Sequence, residues 1–291
     1  MPRRAKRETP ARPPRKVKRK SPRTRRKSLR IPRPWPGART RHRLLRAFGR
    51  LPGALQILVG LAVLATLGLA LNFAYQVIRK PSELFFPVSG TLYKTPAETW
   101  RSYEPIFRRH ATTTMTPQFL AALAQIEGSG NPIVRTYWRL SFSPKPFEIY
   151  RPASSAVGMY QITDGTFAQA RHFCIHDHVV VQDGPWDDLK SCWFNSLYTR
   201  TIPSNAVELT SAYLDRQVAA ALAQHGIRNA TLRQKQNLAA LIHLCGAGAD
   251  DRYVRHGLHT SPGQRCGDHD AAEYIAKVSR MRDVFERLAG P

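Results

Sequence analysis

Three sets of residues in this 291-residue chain have the types and spacing to do chemistry. The first is a carboxylate. Glu127 ends the run 118–127, in which Phe119, Leu120, Leu123 and Ile126 share one face of a helix. A helix C-terminus disfavours negative charge, and apolar neighbours add a desolvation penalty, so both raise a carboxyl pKa. A carboxylic acid kept protonated near neutral pH is what glycosidic-bond cleavage needs, because the leaving oxygen must gain a proton as the bond breaks. Position alone favours an ordinary solvated Glu near a helix end. No other acid sits in a comparably apolar setting: Glu148 lies in an aromatic loop and Asp164 reads as a turn or cap residue. The second set is His172, Cys174, His176 and His178, alternating along one side of a strand. Zinc sites favour two-to-four-residue spacings in paired tight turns, which this alternation lacks. The third is an even set of cysteines, Cys174, Cys192, Cys245 and Cys266, which suits two disulfides in an oxidising compartment. Three pairings are open, and proximity favours Cys174–Cys192 with Cys245–Cys266. There is no phosphate-binding loop and no dinucleotide fingerprint, so neither a cofactor nor a metal is expected.

The elements that must position these groups read as helical. Thr116-Pro117 is a strong start signal, a capping Thr with Pro at the first helical position, and Gly128 and Gly130 stop that helix. Further helices are predicted at about 97–110, 165–173, 205–225, 231–245 and 271–288, the last with apolar residues at 275, 278, 281, 284, 285 and 288. There is no sustained β alternation and no internal repeat. Residues 80–95 read as an extended linker. Residues 136–152 and 174–203 read as irregular binding loops, with Tyr137, Trp138, Phe142, Phe147 and Tyr150 able to stack on sugar rings or simply to pack the loop.

The segments 126–132 (Ile-Glu-Gly-Ser-Gly-Asn-Pro) and 156–166 (Ala-Val-Gly-Met-Tyr-Gln-Ile-Thr-Asp-Gly-Thr) resemble the SLT-type lytic transglycosylases of bacterial cell-wall metabolism. Pro203-Ser204-Asn205-Ala206 with Tyr213-Leu214, and Asp270 to Val278 with its Tyr-x-x-x-Val, are similar to later pieces of that family, in the same order over about 115–288. The resemblance implies a mainly α, goose-lysozyme-like domain with a saccharide groove. It implies that Glu127 acts as both acid and base on the bond between N-acetylmuramic acid and N-acetylglucosamine, leaving a 1,6-anhydro end and consuming no water. It also implies groove positions for Gly158, Met159, Tyr160 and Gln161, and a Tyr274 hydroxyl turned toward the acid. Met159 and Tyr160 read equally well as core. The chain departs from the family at Gly128, where a Ser helps orient the acid. It departs again at Ile242-His243-Leu244-Cys245-Gly246, which stands for Ala-Tyr-Asn-x-Gly, with His243 in the tyrosine's place.

Charge organises the rest. Of the net +25, residues 1–50 supply +20, from 21 Lys and Arg against one acid, and 51–78 carry no charge. That excludes a uniformly basic nucleic-acid-coating protein and a simple soluble cytosolic domain. Segment 1–50, rich in Arg, Lys and Pro, is expected to be disordered. Segment 51–78 is long enough to cross a bilayer as an uncleaved anchor. Its flanking charge puts the N-terminus in the cytoplasm and 79–291 across the bacterial inner membrane, in the periplasm. The divisions are thus a tail (1–50), an anchor (51–78), a juxtamembrane linker with a first helix (79–114) and a catalytic domain (115–291). Expected partners are peptidoglycan glycan strands and the membrane, with anionic lipid meeting the basic tail and an envelope-spanning machine as a further candidate. The competing functions are a muramidase that admits water, an inactive glycan-binding or assembly protein, and a nucleic-acid-binding membrane protein that works through its tail.

Overall fold

The computed structural model describes residues 38–142, 144–188 and 190–290. The disorder and the lipid or nucleic-acid contacts expected of 1–37 lie outside the described residues. Residues 38–50 differ from the expectation of disorder, because Ala38–Gly49 forms helix α1. The last tail proline is Pro36, and the Ala, Arg and Leu that follow are good helix formers. Among the described residues, one helix is long and apolar enough to cross a membrane: α2, Gly53–Arg79, with a mean hydropathy of 2.3 over its most apolar stretch.

The described residues to Val63 and those from Leu64 onward fall into two compact units. In the first, Gln56 Nε2 donates to the carbonyls of Phe48 (3.2 Å) and Leu51 (3.0 Å), closing the turn between α1 and α2. The second unit is mainly helical. At its centre is α5, Pro117–Gly128, whose residues Phe119 to Ala124 are all buried. Helices α4 (Pro96–Arg109) and α10 (Ala271–Ala289) pack along it, and α7 (Pro203–Gln224) packs on α8 (Leu232–Cys245). These surfaces close one core that includes Phe107, Met115, Phe119, Leu120, Leu209, Leu214, Leu238 and Phe285. Two short helices complete the set, α6 (Asp164–Ala170) and α9 (Asp250–Arg255), after the four-residue α3 (Phe86–Ser89).

The helix starts follow from local chemistry. Thr95 and Glu98 form a reciprocal capping box with Pro96 at the first position of α4, and Thr231 and Gln234 do the same for α8. Thr116, Thr163 and Asp270 cap α5, α6 and α10. Each cap oxygen takes an amide that the helix leaves unpaired, at about 1 kcal/mol apiece. Buried polar groups tie the helices together. Gln236 reaches the Thr114 carbonyl (3.1 Å) and accepts from Arg282 (3.0 Å), while the Ser211 hydroxyl donates to the His110 carbonyl (2.7 Å).

The regions expected to be irregular contain short strands, and a third pair lies at 265–270, just before α10. β1 (Trp138–Leu140) pairs with β2 (Tyr150–Pro152), β3 (Phe173–His176) with β4 (Val179–Gln182), and β5 (Arg265–Cys266) with β6 (His269–Asp270), all antiparallel. Pairs of two to four residues are too short to print a period-2 pattern. Cys174 pairs with Cys192 and Cys245 with Cys266, with Cα separations of 5.3 and 5.2 Å.

Residues 80–95 are not an extended linker. Pro81–Phe85 forms a 3₁₀ turn that leads into α3. Glu83, fully buried, meets Lys80 (3.3 Å), Arg135 (2.9 Å) and the Trp138 indole N–H (2.8 Å). The Lys80 ammonium also donates to the Ser154 and Ala156 carbonyls. Asn131 donates to the Ser89 carbonyl (2.5 Å), and the Lys94 amide to that of Ser129 (2.9 Å). A buried carboxylate persists only with such partners, and here they fold the segment onto the domain.

Candidate active site

α5 must stop where Glu127 needs to stand, and the sequence after it enforces the stop. Ser129 takes the left-handed conformation (φ 48°) and Gly130 follows at φ 63°. Their amides bond back to the Gln125 and Ala124 carbonyls, at 3.0 and 3.1 Å. At Gly128 a Cβ would stand 2.8 Å from both the Cα and the carbonyl oxygen of Met159. Backbone cannot yield as a flexible side chain can, so the end of α5 approaches the 158–161 turn only without a side chain at 128. Any side chain at 128 would meet that main chain, which accounts for glycine there.

Glu127 keeps 19% of its side chain exposed. The Tyr274 hydroxyl, from the first turns of α10, donates to its Oε1 at 2.5 Å. His243, from the last turn of α8, brings Nε2 to within 3.7 Å of the same oxygen, an ion-pair separation rather than a hydrogen bond. Burial, and then the neighbouring Glu127 charge, push the Tyr274 phenol well above its ordinary value, so it stays a neutral donor. α10, which carries Tyr274, packs on both α5 and α8, and the Cys245–Cys266 bridge joins the residue two after His243 to the hairpin that feeds α10.

Glu127 opens on a cavity of about 250 Å³ whose other walls are Ile126, Leu244, Asp268, His269, Asp270, Glu273, Tyr274 and Lys277. Leu244 also borders a second, larger hollow of about 580 Å³ that carries Arg252, Arg255 and Arg265. The sequence reading missed Asp268, His269, Glu273 and Lys277. Asp270 with Glu273 three residues on is a helix-start signal, and the predicted start at 271 puts Glu273 next to Tyr274 in sequence and Lys277 about one turn after it.

The 158–161 turn is arranged differently from the expectation. Met159 and Tyr160 are fully buried, and the Tyr160 hydroxyl donates to the Leu120 carbonyl (3.1 Å). Their side chains are core and offer a saccharide no surface. Gly158 (φ 80°) and Gln161 (φ 47°) make a tight turn, and the Gln161 amide is used inside it, donating to the Gly158 (2.9 Å) and Val134 (3.3 Å) carbonyls. None of the four lines the cavity beside Glu127. This turn supports the end of α5 from behind.

Glu127 is also not the most buried acid. Glu83 and Glu208 are more deeply placed, and both are engaged by partners. Glu208 accepts from the Tyr198 hydroxyl (2.8 Å) and the Ile175 amide (3.0 Å), with His110 Nδ1 at 3.6 Å. Glu148 is flanked by Arg79, Lys145 and Arg151, and the exposed Asp164 by Arg200, so neither lies in the Glu127 cavity. Among the described residues, no three His, Cys, Asp or Glu side chains converge as a metal site. The chain matches no family model, no curated protein and no solved structure.

Proposed function

We propose that this chain is a membrane-anchored lytic transglycosylase of the SLT type, with a goose-lysozyme-like domain that acts on peptidoglycan in the bacterial periplasm. The observation that carries the reading is the arrangement around one carboxyl: Glu127 at the end of a buried helix, bordering a cavity, with Tyr274 at 2.5 Å and His243 at 3.7 Å on the same oxygen. Tyr274 fixes Oε1, and we assign proton transfer to Oε2, which neither residue touches. Protonated Glu127 gives its proton to the leaving N-acetylglucosamine oxygen as the bond to the muramoyl C1 breaks. The carboxylate so formed takes the proton of the muramoyl C6 hydroxyl, whose oxygen closes on C1. The acid is regenerated, the product carries a 1,6-anhydro ring, and no second carboxylate takes part. Gly128 does not weaken this reading, because the 2.8 Å approach to Met159 accounts for the missing Ser side chain.

A hydrolytic course is favoured by one observation, the carboxylates of Asp268 and Glu273 in the same cavity wall, since hydrolases commonly flank the bond with two acids. The full chain, with Glu127→Gln and Glu273→Gln, is incubated with peptidoglycan and the soluble fragments are weighed by mass spectrometry. The expected result is muropeptides one water lighter than their hydrated forms, reduced about 10²–10⁴-fold in Glu127→Gln and retained in Glu273→Gln. Hydrated ends that require both acids would replace the proposal with the muramidase. Peptidoglycan binding without any release would leave a binding protein.

A further inference from the structure

The β1–β2 hairpin, which the proposed chemistry does not use, carries an unusual surface. Tyr137 is 73% and Leu140 78% exposed, and Phe142, Ile149 and Tyr150 are exposed as well. Such a patch signals a partner. Its neighbour identifies which. Asn72 and Gln76, on the last turns of α2, are buried against the hairpin and donate to the Tyr150 and Phe147 carbonyls, each at 2.7 Å. Phe73 stacks on Trp138 (6.1 Å between rings) and Tyr75 on Phe147 (5.3 Å). From Gly53 to Asn72 is 19 helical steps, or about 29 Å at 1.5 Å per residue, which is the thickness of a hydrocarbon core. The hairpin therefore sits at the level where the span leaves hydrocarbon for headgroups, the level at which Tyr and Trp collect in membrane proteins.

The charge pattern points the same way. Arg139 and Arg151 face each other directly across the two strands, a like-charge pairing that costs stability unless an anion lies over it. Arg79 and Arg151 share one carboxylate, Glu148, which leaves that pair positive. Between the hairpin and the span opens an apolar cleft of about 520 Å³, walled by Leu69, Phe73, Tyr137, Trp138 and Tyr150, with room for lipid hydrocarbon.

We infer that the β1–β2 hairpin is a second membrane contact: it seats in the leaflet facing the domain, with Leu140 and Phe142 among the acyl chains and the Arg139–Arg151 pair on lipid phosphate. The inference rests on the membrane-anchor part of the proposed function and is independent of its catalysis. The full chain carrying Phe142→Cys, or Asn229→Cys as an exposed reference, is labelled with an environment-sensitive fluorophore. It is reconstituted into phosphatidylethanolamine–phosphatidylglycerol vesicles, and flotation is checked first. The expected result is co-flotation, blue-shifted emission at position 142, and quenching there by shallow spin-labelled lipid several-fold stronger than at 229. Co-flotation with water-like emission at both positions, equally quenched by aqueous iodide, would overturn the hairpin contact while leaving the anchor. Failure to co-float would remove the anchor and the hairpin contact together.

Discussion

Glu127 and Glu83 are both acids drawn out of water, and the contrast between their surroundings separates chemistry from architecture. Glu83 has no exposed surface, and Lys80, Arg135 and Trp138 use its oxygens. Glu127 has a neutral phenol on one oxygen, a histidine beyond hydrogen-bond reach and a cavity beside it. Desolvation is common to the two. What differs is the partner. A carboxylate compensated by two cations and closed off from solvent serves to hold the fold. One held by an uncharged donor beside a cavity can be reached by a ligand, which is what the proposed acid–base role requires.

That contrast can be broken from either side. Glu83→Gln should do the largest damage to stability, about 3–5 kcal/mol, because it removes the buried countercharge of Lys80 and Arg135. Chemical denaturation measures it, and the folded fraction should keep its specific activity. Tyr274→Phe should do the reverse. Loss of a hydrogen bond to a carboxylate is worth about 1.5–3 kcal/mol, so turnover should fall about 10–100-fold. The ring still fills its buried place on α10, and the unfolding midpoint should move little.

Gly128→Ser installs the residue found in the resembling family and sharpens the comparison further. The new Cβ meets the Met159 main chain, so the variant should lose about 1–3 kcal/mol of stability and, through displacement of Glu127, activity as well. A gain in activity would show that the close approach is not what selects glycine. Glu148→Gln should have the smallest effect, under about 1 kcal/mol by thermal unfolding, because the cations around that acid are largely solvent-exposed and screened.

The helical frame was legible in the sequence because its signals are local. Thr116-Pro117 marks the start of α5, and the apolar spacing from 275 to 285 marks the buried face of α10. The turn of the Tyr274 hydroxyl toward Glu127 was legible only through the resemblance, since position alone favours an ordinary solvated Glu. The cavity's remaining walls depend on where β5 and β6 lay their turn, and two-residue strands leave no periodic trace. Met159 and Tyr160 look alike as cleft wall or core until the end of α5 is seen lying on them. Residues 80–95 misled for another reason. Pro, Ser and Lys suggest a linker, and only the distant Arg135 and Trp138 make Glu83 a buried anchor point.

That folded segment has a mechanical consequence. Sixteen free residues would be a leash of about 50 Å at full stretch, letting the domain roam through the wall. Pinned by Lys80, Glu83 and the Asn131–Ser89 bond, the leash is reeled in. A chain anchored as proposed would therefore work at one fixed altitude above its bilayer, cutting the strand that passes at that height rather than searching for one.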